Sequence, residues 1–300
     1  MKRFLFLTLF VAGFLGTERL CHKATDGFAL NKITYPLVDE LVEEAVLFSV
    51  EQKLAKDILT EEKFHYLASG AQCYAFVSEN KKYVVKFFKF QHMRIPPWLK
   101  YIPLPAPLNA YRNAKLEKKR QSIQELFNSF KLADRYLKEE TGILFLHLCQ
   151  SSYFDGKMTI YDKIGGCHKL DLDSTYFVLQ TRADLAYRKI NEWMKKGKIS
   201  KARDGIRSLV AVAMQRCEKG IYDKDPDFKT NFGFVNDRAT QIDIGRFSKK
   251  TMACDPAICG PEIIRITKEL RSWLKTHHEE LVEILDDEIK KAINDHGIKT

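Results

Sequence analysis

Between Tyr222 and Phe247 the chain reads YDKDPDFKTNFGFVNDRATQIDIGRF, and this stretch constrains the fold more than any other. It opens as a loop rich in carboxylates and continues as two short apolar runs, ending in Asp-Ile-Gly. The runs Phe232–Val235 and Thr240–Ile242 alternate as strands do, and Asn236-Asp237-Arg238 between them supplies turn chemistry, so a β-hairpin is expected. Asn231 precedes the hairpin and Asp243 follows it, twelve positions later. Closing the hairpin is expected to bring these two residues side by side at its open end. An amide oxygen beside a carboxylate is a hard-oxygen pair suited to Mg²⁺, which keeps waters and shares phosphate oxygens. Asp225, six positions before Asn231, is placed to orient a hydroxyl or to take its proton.

Upstream, residues 64–90 read as strands around a turn at Ser78-Glu79-Asn80-Lys81. Lys86 lies in the second strand among Val84, Val85, Phe87 and Phe88, where a lysine without a partner is costly to bury. Gly70 precedes Lys86 by sixteen residues, a hairpin's span. Residues 109–138 are helical in pattern, and further strands are expected at 143–149, 158–164 and 176–180. Two helices follow, 187–196 and 200–219, the second with Ile206, Leu209, Val210, Ala213 and Met214 as its buried stripe.

Taken in order, these residues resemble the protein-kinase-like superfamily over about residues 61–250. Asp223-Lys224-Asp225 stands where that superfamily has His-Arg-Asp, and Asp243-Ile244-Gly245 where it has Asp-Phe-Gly; Tyr83-Val-Val-Lys86 matches its Val-Ala-Ile-Lys strand. The resemblance implies an α+β fold of two lobes, a small antiparallel-sheet lobe and a mostly helical large lobe. It implies phosphoryl transfer from ATP with Mg to a hydroxyl acceptor that could be a protein, a sugar or a small molecule. In that scheme Gly70 and Lys86 meet the phosphates, Glu125 (or Glu117) holds the lysine, Asn231 and Asp243 bind the metal, and Asp225 serves the acceptor. The chain departs from the pattern in several places. Ala68 and Cys73 replace two glycines of the phosphate loop, and the gap from Asp225 to Asn231 is one longer than usual. Asp227 gives a gap of four and is the alternative catalytic acid. No Ala-Pro-Glu occurs, and 55 residues remain after Gly245, so a reduced large lobe is implied. Leu132-Ala133 followed by Thr141-Gly142-Ile143 is also similar to the kinases that act on lipopolysaccharide core sugars. The departures leave a second reading open, a pseudokinase that binds nucleotide or protein without efficient turnover.

The remaining segments set the domain plan. Lys2-Arg3 and the apolar run Phe4–Leu15 give residues 1–20 the character of a signal peptide or N-terminal anchor, too short to span a bilayer. Export or membrane association is expected from it, and a cytoplasmic protein if the segment is misread. Residues 21–60 form a helical extension (Leu37, Leu41, Ala45, Phe48), 61–181 the small lobe with a proline-rich insertion at 91–108, and 182–300 the large lobe. Final helices are expected from Gly260-Pro261 onward, with His277 and His278 on their surface. A net charge of +10 calls for an anionic partner, but the basic residues are spread along the chain and no nucleic acid is expected. The basic run Arg112–Arg120 could meet an acidic membrane surface. The seven cysteines lack zinc-type partners, and most are read as small buried residues whose pairing the spacing does not define.

Overall fold

The computed structural model describes residues 2–34, 50–92, 102–249 and 256–294. The fold is α+β and divides into two compact units. The first comprises residues 1–120 and 147–179, the second 121–146 and 180–300. The chain passes between units inside the long helix α4 (Ala106–Tyr136), inside β4 (Ile143–His147) and inside β7 (Phe177–Thr181). Helix α4 thus begins within the stretch expected to be proline-rich and extended. The rest of that insertion, 93–101, and the helical repeat at 35–49 lie outside the described residues.

The first unit is organised on a mostly antiparallel sheet in which β7-β3-β2-β1-β5-β6 follow in that order. Its strands are β1 (Lys63–Ser69), β2 (Cys73–Ser78), β3 (Tyr83–Phe88), β5 (Lys157–Tyr161) and β6 (Cys167–Asp171), with β1 and β5 parallel. Phe64, Phe76, Val85, Phe87, Met158 and Ile160 are fully buried along it. Strand β6 was not anticipated, because Cys-His-Lys-Leu-Asp buries only Leu170 and carries almost no apolar signal. It forms because Asp162 caps a tight turn, accepting the N–H groups of Ile164 and Gly166. Helix α1 (Lys2–Thr25) runs past the expected end of the leader, and the turn after it packs on this sheet. Phe28 meets Tyr74 and Phe76 edge-on, and Tyr66 bonds Asp26. Two short segments complete this end, α2 (Leu30–Ile33) and α3 (Val50–Glu61). Among the described residues no helix is long and apolar enough to cross a membrane.

The second unit is mainly helical. After α5 (Lys138–Thr141) come β8 (Asp184–Leu185), α6 (Ala186–Lys195), α7 (Ile199–Glu218), β9 (Ile221–Asp223), β10 (Phe232–Val235), β11 (Arg238–Gln241), β12 (Phe247–Lys249), α8 (Pro256–His277) and α9 (Val282–Asn294). The expected stripe on α7 is buried, packed with Ile190, Trp193, Phe234, Ile263, Ile266, Leu270 and Leu285. Helix α8 starts before Pro261 rather than at it, and the proline is accommodated in the helix's second turn. The final pair breaks at His278, which is half-buried and bonds Asn191, whereas His277 is exposed. Cys217 and Cys259 are paired in a disulfide that joins α7 to α8.

Candidate active site

The hairpin forms as the sequence indicates, with one shift. Strand β11 begins at Arg238, so the turn is two residues, Asn236 and Asp237, both at positive φ. That is the turn whose twist matches the strands it joins, and Asn and Asp tolerate its left-handed backbone. Strand β8 adds a third strand by pairing with β10. Gly233 is required there: a Cβ would lie 2.7 Å from the Asp184 carbonyl oxygen and 2.9 Å from the Ala183 side chain.

At the open end, the carbonyl of Asn231 accepts the N–H of Ile242 at 2.7 Å and that of Asp243 at 3.3 Å. The residues predicted to share a metal are thereby locked side by side. The Asn231 side-chain NH₂ donates to the Asp225 carbonyl at 2.8 Å, tying the preceding loop to the same point. Its oxygen accepts from the Thr230 hydroxyl at 2.9 Å. Asp243 lies exposed, with Oδ1 3.3 Å from the Gly245 N–H.

Three acids stand near this point in different surroundings. Asp225 is 63% exposed, with Arg246 at 3.3 Å. Asp227 spends both oxygens locally, on the Lys229 N–H and on the Thr230 hydroxyl. Asp223 is 2% exposed and accepts from Gln241 at 2.6 Å and from the Asp225 N–H at 3.0 Å. Burial pushes its carboxyl above the usual range, opposed by the nearby Arg216 charge. Beneath it lies a buried ion pair, Arg216 with Glu262 at 3.3 Å. Arg265 binds the same glutamate and donates to the Asp223 carbonyl at 2.8 Å. Strand β9 pairs with β12, so the loop that starts at Asp223 is closed by the segment that follows Asp-Ile-Gly. Ser129 of α4 fastens that tripeptide: its hydroxyl donates to the Ile244 carbonyl and accepts the Phe247 N–H at 2.6 Å.

Gln241, Arg216, Glu262 and Ser129 were all missed by motif reading, which sees residues that face a substrate and passes over those that hold them; Asp223 was read as part of the motif, without its buried supporting place. The one signal available was a buried-type arginine in the apolar stripe of α7. Glu125 sits on α4 in the second unit, 74% exposed and 4.0 Å from Lys224 of the acidic loop.

Gly70 and Lys86 belong to the first unit. Lys86 is half-buried on β3 opposite Ala75, with buried residues on both sides. The glycine turn is short, with the Gly70 N–H donating to the Cys73 carbonyl at 2.9 Å. Lys89 holds it from within: its ammonium donates to the Gly70 carbonyl at 2.5 Å and to the Ser69 hydroxyl at 2.6 Å, over the Tyr74 ring. Burial depresses the Lys89 pKa. Among the described residues no cluster of three or more His, Cys, Asp or Glu could hold a metal alone. Asn231 and Asp243 nevertheless fit Mg²⁺, which takes one or two protein oxygens and completes its shell with water and phosphate.

An antiparallel sheet carrying a lysine strand is followed in the chain by a helical unit whose hairpin sets Asn231 against Asp-Ile-Gly. This order of elements is consistent with a kinase-like fold. No family model matches the chain, and no curated protein matches it. Among solved structures it is similar to the bifunctional kinase-methyltransferase WbdD, at 16% identity over 74% of this chain and 43% of that one, TM-score 0.32. It is also similar to Rv3197 of Mycobacterium tuberculosis, solved with erythromycin (12%, 77% and 56%, TM-score 0.35). A third is WaaP in complex with acyl carrier protein (9%, 82% and 98%, TM-score 0.32). The chain spans about half the length of the first two. The reading of fold and chemistry rests on the residues themselves.

Proposed function

We propose that this kinase-like chain is a phosphotransferase that moves the γ-phosphate of ATP to a hydroxyl acceptor. The observation that supports the reading is the backbone lock between Asn231 and Asp243, which holds these two residues side by side near the exposed Asp225. The acceptor oxygen would attack the γ-phosphorus as the bond to the β–γ bridging oxygen breaks and ADP leaves. Asp225 takes the acceptor's proton; it is preferred to Asp227, whose oxygens are already engaged. Lys86 meets the phosphates, with Glu125 as the acid assigned to hold it, and Gly70 covers them. Mg²⁺ bound by Asn231 and Asp243 would offset phosphate charge, and the rest of the catalysis is placement.

A second reading, a pseudokinase binding nucleotide or protein, is favoured by the glycine turn, whose Gly70 N–H is already given to the Cys73 carbonyl. A thermal shift of the full chain with Mg–ATP separates the two from no nucleotide site at all. At one hundred times its dissociation constant a ligand stabilises by about 2.7 kcal/mol. We expect a metal-dependent shift that is lost in Asp243→Asn and in Lys86→Ala; no shift at millimolar ATP would sink the enzyme. Turnover in an acceptor screen then distinguishes an enzyme from a binding module. We also propose an exported or membrane-associated setting, supported by the exposed Phe10, Phe14, Leu15 and Leu20 of α1. Recovery of the full chain wholly in the cytosolic fraction would overturn it.

A further inference from the structure

One buried charge of the first unit takes no part in the transfer proposed above. Lys89 lies just past the end of β3 and is 8% exposed. Among the described residues no carboxylate forms an ion pair with it. A buried ammonium without a counter-ion is unfavourable, and burial lowers its pKa accordingly. Its hydrogen bonds go to the glycine turn. The ammonium donates to the Ser69 hydroxyl at 2.6 Å and to the Gly70 carbonyl at 2.5 Å. The backbone N–H of the same residue donates to the Gln72 carbonyl at 2.8 Å. Lys89 thus holds both arms of the turn, one through its side chain and the other through its backbone.

The register of the sheet fixes the side from which this hold is applied. Residues directly opposite one another on neighbouring strands share a face. Ser69 stands opposite Tyr74, and Tyr74 opposite Phe87, so these three lie on one face. Lys86 stands opposite Ala75 and lies on the other. A β-bulge between Tyr66 and Ala68 is what turns Ser69 to the Tyr74 side, since one extra residue reverses the alternation. The Lys89 ammonium rests over the Tyr74 ring, 4.3 Å from its centre, and so acts from the face opposite Lys86. The ring is fixed in turn by the segment after α1. Its hydroxyl donates to the Gly27 carbonyl at 2.7 Å, and Phe28 meets it edge-on at 5.3 Å. Lys32 of α2 donates to the same carbonyl at 2.5 Å.

We propose that Lys89 is a positioning residue that braces the glycine turn from the face opposite Lys86, with the segment after α1 behind it. The brace gives the turn one fixed backbone shape where Ala68 and Cys73 stand in place of glycines. Its use to the site rests on the nucleotide-binding reading; its geometry does not. Hydrogen exchange followed by NMR on the full chain, without nucleotide, reads the Gly70 N–H, whose bond to the Cys73 carbonyl closes the turn. Lys89→Met keeps the stem and the backbone N–H and removes the ammonium. In it the Gly70 amide should exchange about tenfold faster while the central β2–β3 amides keep the parent's rates. The melting temperature should stay within about 3 °C of the parent's, because loss of a buried charge offsets loss of its two bonds. The Mg–ATP dissociation constant should rise about fivefold, a loss that a residue kept for stability alone would not produce at an unchanged melting temperature. Ser69→Ala, at an exposed position, removes one acceptor and should speed the same amide about threefold. An unchanged Gly70 rate in Lys89→Met would overturn the brace. So would faster exchange spread evenly over β1 to β3 with a fallen melting temperature, which marks an ordinary core residue. Should Lys89→Met not fold, Ser69→Ala decides alone, and an unchanged Gly70 rate in it overturns the proposal. Faster exchange at Gly70 with no Mg–ATP shift in the parent would uphold the brace and remove the nucleotide site. Equal Mg–ATP binding by the parent and Lys89→Met would overturn the positioning role and leave the nucleotide site standing.

Discussion

The hydroxyl of Ser129 spans Asp-Ile-Gly, donating to the Ile244 carbonyl on one side and accepting the Phe247 N–H on the other. Ser129→Ala leaves two backbone groups unpaired in a site that excludes water, at a cost of about 1–3 kcal/mol. Urea unfolding should show that loss, and the Mg–ATP shift should shrink as Asp243 loosens; an unchanged midpoint would contradict the bridge. No sequence signal marks Ser129, since a serine in a charged helix reads as a surface residue until the partner is known. His147 is equally silent in the sequence. It is buried, and Nδ1 must carry a proton because the Thr175 carbonyl at 2.6 Å can only accept. Burial lowers its pKa from 6.5, so the folded protein keeps the ring neutral where the unfolded chain takes up a proton. Stability from this residue is therefore full above about pH 6.5 and lost progressively as the pH falls from there toward the lower value of the folded ring. Melting temperatures measured from pH 7.5 down to 5.5 should fall less steeply in His147→Gln than in the parent, and parallel curves would show that the ring does not contribute.

At the scale of elements, the hairpin was legible because Asn236 and Asp237 are residues that accept positive φ, and its displaced second strand follows from the same turn being two residues rather than three. Two elements were misread because their own residues carry a weak or misleading local signal. Strand β6 is held by β5 and by the Asp162 turn with hardly any apolar pattern of its own, and α8 passes through Pro261 where local rules start a helix. Two glycines make opposite predictions here. Gly233→Ala sets a methyl group against the Asp184 carbonyl, part of a paired strand that cannot yield cheaply, and should cost about 1–3 kcal/mol. At Gly70 the same methyl would meet only the Cys73 carbonyl oxygen at 3.6 Å, an ordinary contact. Gly70→Ala should therefore fold within about 0.5 kcal/mol of the parent, and any loss of Mg–ATP binding in it reports on the approach of phosphate. Thermal melts of the two variants side by side test both statements; equal destabilisation would contradict them.

Over the whole molecule, the order Gly70, Lys86, Glu125, Asp225, Asn231, Asp243 was readable as a pattern of residue types and spacings, and the role of each is part of the proposal above. The division into units was not, because the boundary falls inside α4, a helix whose periodicity runs on unbroken through residue 120. What secures the second unit was equally hidden: spacing could not single out Cys217 and Cys259, which lie 42 residues apart. Their disulfide joins α7 to α8 next to the Arg216–Glu262 pair that supports Asp223. Cross-link and ion pair thus tie the same two helices, but they act on different states. The ion pair shapes the folded site, whereas the disulfide chiefly removes freedom from the unfolded chain, about 4 kcal/mol for a loop of this length in the chain-entropy account. Cys217→Ser/Cys259→Ser should accordingly melt on the order of 10 °C below the parent, with the Mg–ATP dissociation constant unchanged because Arg216 still holds Glu262. Dithiothreitol should lower the parent's melting temperature and leave the double variant where it was. If the reductant moves neither protein, the sulfurs contribute nothing to stability; if nucleotide affinity falls together with the melting temperature, the cross-link shapes the site and the separation of roles fails.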